Sequence, residues 1–123
     1  MSSVAATAAK ALTLEFVEVV CNQRKFAAAS KYITPTFVSH HGPHTTEGEA
    51  AFVNGFQYAL ANFMPDFKMK VIRAVADEQS VWVWSEISGL KSGGTKESVD
   101  IFTIDPTTGK LQEKWDVQTP ESQ

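Results

Sequence analysis

The chain has 123 residues, and its 11 basic and 14 acidic residues give a formal charge of −3. This length fits one domain, residues 1–123, and the acidic balance argues against nucleic acid as a partner, because that function needs a basic face. Apolar residues make up 43% of the chain, which is typical of a globular protein, and no apolar stretch approaches the roughly 20 residues of a membrane-spanning helix.

The N-terminal residues 1–9 lack the basic start and long apolar run of a signal peptide. The single cysteine, Cys21, excludes an internal disulfide. We therefore expect a cytoplasmic protein without a membrane partner. Cys21 falls in a predicted helix without a basic or histidine neighbour, and we expect an inert packing thiol there.

Three helices are predicted in the first half of the chain. In the first, apolar residues recur on one helical face: Leu12, Phe16, Val19 and Val20. Asn22 breaks this helix, and a second helix over residues 23–32 ends before Pro35, which disfavours helix at the residue before it. The third is predicted to begin at the capping box Thr46-Glu47-Gly48-Glu49 and to end at Pro65.

The other predicted elements are strands and loops. A short strand over residues 36–41 leads into a loop at His40–His44, because Gly and Pro occur there. After Pro65 the hydrophobic period changes to two, which predicts a four-stranded antiparallel meander with a last hairpin turn at residues 105–109. Helices followed by strands predict an α+β fold, in which a curved antiparallel sheet packs on three N-terminal helices and leaves a blind pocket.

Three stretches of the sequence carry a family resemblance. They are residues 41–48 (His-Gly-Pro-His-Thr-Thr-Glu-Gly), residues 73–77, and Asp100-Ile101-Phe102 followed by residues 109–117 with their Trp115-Asp116-Val117 ending. Their order and spacing resemble the SnoaL-like polyketide cyclase family, within the nuclear-transport-factor-2-like superfamily. The resemblance runs from about residue 32 to residue 118 and implies a cystatin-like α+β barrel.

The chain departs from this family at polar positions that we expect to face the pocket. It has His40-His41-Gly42 where many relatives have Gln-His-Asn, Thr103 where they often have Arg, and Lys114 where they often have His. These departures favour a non-catalytic ligand-binding or dimerisation module over a cyclase, since a fold by itself does not fix a reaction.

The resemblance also implies a reaction and its residues. Family cyclases remove a proton beside a carbonyl with a carboxylate and stabilise the resulting enolate until a ring closes, without a metal or organic cofactor. Such a base needs a pKa raised by an apolar pocket, and the enolate needs a hydrogen-bond donor. Asp116 fits the base and His41 the donor, although a surface carboxylate or a loop cap is the commoner role for an aspartate in such a position.

Asp100 is a further catalytic candidate whose direction depends on the strand register. If the numbers of paired residues in the last hairpin add up to 214, Asp100 faces Lys114 in a cross-strand ion pair. If they sum to 215, Asp100 faces Trp115 instead, and one residue of slip exchanges the two faces of the strand. A structural role for Asp100 is the leading alternative.

Aromatic and histidine side chains are the candidate ligand-binding residues. We expect the pocket to lie between the third helix and the sheet, lined by these side chains: His40, His44, Phe56, Phe63, Trp82, Trp84 and Trp115. Core or dimer packing is the alternative for the tryptophans. His41 and His44 with one carboxylate match a non-haem iron triad, but no carboxylate pairs with them by spacing, and we expect no metal.

The function predicted from these features is a small-molecule cyclase or isomerase that uses acid–base chemistry on a carbonyl substrate. The alternatives are the non-catalytic module named above and a hydrolase of small epoxides. The apolar residues of the sheet also predict a homodimer formed through its exposed face.

Overall fold

The computed structural model describes residues 3–122. Helix α1 covers Val4–Phe16, continues as a wide π-helical turn over Val17–Asn22, and is followed by a 3-10 helix over Phe26–Lys31; helix α2 covers Glu49–Asn62. The strands are β1 Ile33–His41, β2 His44–Glu47, β3 Lys68–Ala76, β4 Ser80–Ser88, β5 Lys96–Ile104 and β6 Leu111–Gln118. Within residues 3–122, the helices are too short or too polar to cross a membrane.

Helix α1 begins and ends on side-chain hydrogen bonds. The Ser3 hydroxyl accepts the amide of Ala6 at 3.0 Å, as an N-cap does. At the other end, the Asn22 side-chain amide donates to the Met69 carbonyl at 2.9 Å, and its oxygen accepts the Met69 amide at 2.8 Å. The predicted break at Asn22 is therefore confirmed, because this residue is the last of the π-helical turn and its side chain pairs with the backbone of strand β3.

The six strands form one sheet in the order β2-β1-β6-β5-β4-β3. Strands β3 to β6 form the predicted antiparallel meander, but the prediction of only four strands is wrong. Strand β1 pairs in parallel with β6, and β2 pairs with β1 as a hairpin. A parallel pair requires a long crossover between its strands, and α2 with the meander supplies it here.

The expected loop at His40–His44 is a tight hairpin in which His41 lies opposite His44. Thr46 pairs with Ser39 inside β2, so the predicted capping box is wrong. Helix α2 begins three residues later than expected, at Glu49, after a Gly48 with φ of 97° and no side-chain cap. The β-branched Thr45-Thr46 pair favours strand over a helix start, and Gly48 provides the left-handed turn between the two elements.

Three register shifts curve the sheet around the helices. They lie in β1 between Ile33 and Val38, in β3 at Ile72, and in the β5–β6 pair near Ile104. Each extra residue bends its strand and increases the local twist. The inner face, which packs on α1 and α2, is thereby concave, and the predicted α+β class with a curved sheet is confirmed.

Aromatic side chains fill the space between the inner face and the helices. The Phe16 ring of α1 stands edge-on to Phe102 of β5 at 6.0 Å between centroids, and Phe37 of β1 stands edge-on to Phe52 of α2 at 5.1 Å. Phe16, Phe37 and Phe102 are fully buried. Offset and edge-to-face pairs of this kind contribute about 0.5–1.5 kcal/mol each beyond their buried area.

Two glycines with the same backbone angle provide a matched stability test. Gly89 has φ of 74°, and a Cβ added there would lie 1.9 Å from the Asp66 carbonyl oxygen, whereas Gly109 has φ of 75° and nothing within 4 Å of such a Cβ. Gly109→Ala therefore carries only the conformational cost of about 1–2 kcal/mol. We expect Gly89→Ala to lower the free energy of unfolding by much more than Gly109→Ala does, and urea titrations of both variants measure the two losses. Equal losses would contradict the close packing of Gly89 on Asp66.

Candidate active site

A cavity of about 410 Å³ lies between α2, the end of α1 and the inner face of the sheet. Most of its wall is apolar, contributed by these residues: Phe16, Val17, Cys21, Phe52, Phe56, Ala59, Met64, Phe67, Met69, Ile87 and Phe102. Its volume falls in the usual range for small-molecule sites. The expected position of the pocket, between the third predicted helix and the sheet, agrees with this geometry.

Polar side chains concentrate where strands β1, β6 and β5 lie side by side. Alternate residues of a strand share one face, so β6 directs Lys114, Asp116 and Gln118 inward, and β5 directs Asp100 inward beside them. On β1, Ser39 and His41 line the same wall. Polar and titratable groups from three strands therefore meet in an otherwise apolar cavity.

The β5–β6 register differs from both registers expected from the sequence. Asp100 lies opposite Asp116, so the numbers of paired residues add up to 216. The register shift near Ile104, which adds one residue to β6, accounts for the difference from 215. Asp100 therefore faces neither Lys114 nor Trp115 directly. The expected ion pair nevertheless exists on the diagonal, since the Lys114 Nζ lies 3.6 Å from Asp100 Oδ1.

Asp116 accepts hydrogen bonds from three side chains at one oxygen. Its Oδ2 lies 2.7 Å from His41 Nδ1, 3.2 Å from Lys114 Nζ and 3.5 Å from Gln118 Nε2. Burial alone raises the pKa of Asp116, but the His41 hydrogen bond and the Lys114 charge outweigh it and lower this pKa below its ordinary value. The expectation that an apolar pocket raises the pKa of Asp116 is therefore wrong.

Asp100 has the raised pKa instead. Its residue is 4% exposed, and burial raises the pKa of its carboxyl despite the nearby Lys114 ammonium. Its Oδ1 contacts Lys114 and accepts from the Ser98 hydroxyl at 3.5 Å, whereas its buried Oδ2 has no partner within residues 3–122. A buried carboxyl oxygen without a partner is costly unless a ligand or a proton satisfies it.

Lys114 is the cation between the two carboxyls, and its side chain is 15% exposed. Burial opposes its charge, but Asp100 and Asp116 outweigh this effect and raise the pKa of Lys114 above its ordinary value. The ammonium is therefore charged at neutral pH. In the sequence, Lys114 stands out only as a departure from the family pattern; its spacing of two from Asp116 is the signal that places both residues on one face of β6.

Several predicted ligand-binding residues lie outside the cavity. Trp82 and Trp84 alternate with the buried Val81 and Val83 of β4, so they lie on the outer face of the sheet, as does Trp115 of β6. This corrects the expectation that tryptophans line the pocket: the smaller β-branched residues of the alternating run are the ones that face the helices.

His40 and Phe63 are also outside the cavity. His40 stacks on Trp115 at 5.1 Å on the outer face, with its Nε2 2.5 Å from Glu113 Oε2. Phe63 follows α2 and is 54% exposed against Tyr58. Thr103 lies opposite Glu113 on the outer face, so this family departure does not alter the cavity as expected.

The remaining candidates do line the cavity: Phe56 on its apolar side, His41 and His44 at the hairpin. No group of three His, Cys, Asp or Glu residues within residues 3–122 is arranged to hold a metal ion. Cys21 is buried in the cavity wall, and this burial raises its pKa to about 12, so its thiolate is not populated at neutral pH.

Comparisons with known proteins agree with this architecture. Residues 13–113 match the model of the SnoaL-like domain, and the chain belongs to that family. The probable cyclase otaY of Aspergillus niger is 23% identical over 90 residues, 73% of this chain and 75% of that protein.

Two solved structures illustrate the shared fold. A provisionally named SnoaL-like polyketide cyclase from Jannaschia sp. CCS1 superposes with a TM-score of 0.82 at 17% identity, covering 96% of this chain and 90% of its own. A provisionally named ketosteroid isomerase from Kribbella flavida superposes with a TM-score of 0.75 at 15% identity, covering 96% and 82%. At such identities these likenesses concern the fold alone.

The two carboxyls are expected to respond to pH in opposite directions. The pKa of Asp116 is lowered in the folded chain, so its contribution to stability is present above the ordinary value of 3.8 and is lost as the pH falls below it. The pKa of Asp100 is raised, so the folded chain binds more protons than the unfolded chain above 3.8 and loses stability as the pH rises.

Asp116→Asn is therefore expected to be most destabilising near neutral pH and least so in acid. For Asp100→Asn, the stability relative to the unsubstituted chain is expected to improve from acid to neutral pH. Urea titrations of each variant across this pH range measure both slopes, with Asp66→Asn, at an exposed aspartate outside the cavity, as the control. Parallel slopes for the two variants would contradict the assigned charges.

Proposed function

We propose that this protein catalyses proton transfer at a carbon beside a carbonyl group, in the cyclisation or isomerisation of a small polyketide-like ketone. The observation that carries the proposal is the buried, unpartnered Oδ2 of Asp100 in the same cavity wall as the His41–Asp116 pair. Enolate chemistry requires a general base at the reacting carbon and a hydrogen-bond donor at the carbonyl oxygen.

His41 is assigned as the proton acceptor, supported by Asp116. The ionised Asp116 can only accept hydrogen bonds, so the Nδ1 of His41 carries the hydrogen and its Nε2 carries the lone pair. Within residues 3–122 this Nε2 has no hydrogen-bond partner. Asp116 then orients the imidazole and stabilises the imidazolium that forms when the proton arrives. This assignment differs from the expectation that Asp116 is itself the base and His41 the donor.

Asp100 is assigned as the donor to the developing oxyanion. Burial shifts its pKa towards the neutral acid, which has one hydrogen to donate; the residue lines the cavity, and its buried Oδ2 has no partner within residues 3–122. A donor fixed in a dry site needs no reorganisation when charge develops on the substrate.

The proposed reaction balances without a cofactor. The carbon–hydrogen bond beside the carbonyl breaks, its proton moves to His41 Nε2, and its electron pair becomes the enolate held by Asp100. In a cyclisation, the enolate carbon then bonds to a second carbonyl carbon, whose oxygen takes the proton back from His41. In an isomerisation, the same proton returns to a different carbon.

The test is exchange of the carbon-bound hydrogen for deuterium in heavy water, followed by NMR on a panel of apolar diketones. We expect His41→Asn and Asp116→Asn each to slow exchange by roughly 10² to 10⁴ and the double variant to lose little more, because the two residues act as one unit. Glu78→Gln, in the exposed β3–β4 turn, is the matched control and retains the full rate.

Other outcomes separate the alternatives. If Asp116→Asn abolishes exchange while His41→Asn retains most of it, Asp116 is the base and the assignment to His41 is wrong. If the unsubstituted protein binds panel compounds but exchanges none, the protein is the non-catalytic ligand-binding module.

A homodimer formed through the outer face of β3–β6 is also proposed. The support is the apolar surface that this face exposes: Ile72, Val75, Trp82, Trp84, Trp115 and Val117. A contiguous patch of large apolar side chains on a small protein marks an interaction surface, and a second copy offers the same patch to it.

Sedimentation velocity at micromolar concentration tests the dimer. The unsubstituted chain is expected to sediment at twice the chain mass and Trp82→Glu at the monomer mass, since a charge placed in an apolar interface is unpaired. Tyr58→Glu is the control, because Tyr58 is 62% exposed on α2, away from the sheet. A monomeric unsubstituted chain, or a dimeric Trp82→Glu variant, would contradict the proposed interface.

A further inference from the structure

Lys96 lies at the start of β5 and lines the cavity. It pairs with the buried Ile87 of β4 and shares the inner face with Asp100, four residues along the strand. Its side chain is partly buried, and within residues 3–122 no carboxylate lies within salt-bridge distance of it. Lys96 is therefore a cation on the cavity wall that the described part of the protein does not neutralise.

Lys114 and His41 of the cavity wall each have a carboxyl group as partner. Lys114 is bound by Asp100 and Asp116, and His41 is bound by Asp116. The pairing leaves Lys96 as the wall cation without a counter-ion among residues 3–122, beside neutral Gln118, which lies opposite Ser98 between Lys96 and Asp116. A cation in this position can bind an anionic group of a ligand through a charge-assisted hydrogen bond.

Strand geometry sets the distance between this cation and the acid–base groups. Four residues of β-strand separate the Cα atoms of Lys96 and Asp100 by about 13 Å. The cavity that both residues line is otherwise largely apolar, with Phe56, Met64 and Phe67 among its lining side chains. This spacing suits a flat fused-ring molecule that has a carbonyl at one end and an acidic group at the other.

We propose that the cavity selects a carboxylate-bearing aromatic or polyketide-like compound, whose carboxylate is bound by Lys96 while its carbonyl reaches Asp100. The proposal rests on the proposed function for the carbonyl end and names the substrate class of that site. Gln118 and His44 complete the polar rim around the carboxylate. A neutral compound of the same shape leaves Lys96 unpaired and is bound more weakly.

The test compares naphthalene carboxylate with naphthalene carboxamide, which has the same shape and no charge. Isothermal titration at low salt is expected to show roughly five-fold tighter binding of the carboxylate, the scale of a partly exposed ion pair. Lys96→Gln is expected to bind both compounds equally, and added salt is expected to reduce the preference of the unsubstituted protein. Lys91→Gln, an exposed lysine in the β4–β5 loop, is the matched control and retains the preference.

Three results would overturn the proposal. Equal binding of the two compounds by the unsubstituted protein excludes charge selection, and failure to bind either compound excludes an aromatic ligand of this size. A preference that persists in Lys96→Gln assigns the anion to Lys114 instead. Because all of these are binding measurements, deuterium exchange of diketones still tests the proposed function when they fail.

Discussion

The ammonium group of Lys114 allows two carboxyls to lie directly opposite each other on the inner face of the sheet. Like charges at opposite positions of an antiparallel pair repel, and burial adds the cost of removing each from water. Lys114 lies 3.2 Å from Asp116 and 3.6 Å from Asp100, so one cation serves both. The two carboxyls nevertheless have different surroundings, because His41 and Gln118 form hydrogen bonds with Asp116 alone.

This asymmetry separates the protonation states of two chemically identical groups. Asp116 is kept ionised, whereas the more buried Asp100 is pushed towards its neutral acid. The register near Ile104 brings the two carboxyls together, since the extra residue there is Gln112 of β6 and without it Asp116 would leave the face that Asp100 occupies. The bulge that curves the sheet thus also places Asp116 beside Asp100.

The sequence predicts the elements better than their partners. Hydrophobic periodicity located the helices and the β3–β6 meander, and the Asp-x-Phe and Trp-Asp-Val stretches indicated the family. Strand β1 was predicted too, but its parallel pairing with β6 depends on a crossover through more than sixty residues that no local pattern records. The capping-box pattern at Thr46 was misleading, because pairing with Ser39 draws this residue into a strand.

The same limit affects the site. Asp116, His41 and Asp100 were identified as candidates, and the structure brings them into one wall. The tryptophans were assigned to the pocket by size, but in Val81-Trp82-Val83-Trp84 the alternation admits two faces, and only the packing of the helices selects the valines. Lys96 and Gln118 carried no motif; they become visible when the register places them in line with Asp100 and Asp116.

Lys114 stands where, by the family resemblance, many relatives have a histidine, and this difference affects proton transfer. A histidine there can exchange a proton near neutral pH, whereas Lys114, with its raised pKa, remains charged. Lys114 therefore holds charge but does not transfer protons. If the protein performs acid–base chemistry, the transferable proton must belong to His41 on the neighbouring strand or to Asp100, and the two lie on opposite sides of Asp116 and Lys114. Lys114 thus contributes a permanent positive charge to the cavity wall, and proton transfer is left to His41 and Asp100 on either side of it.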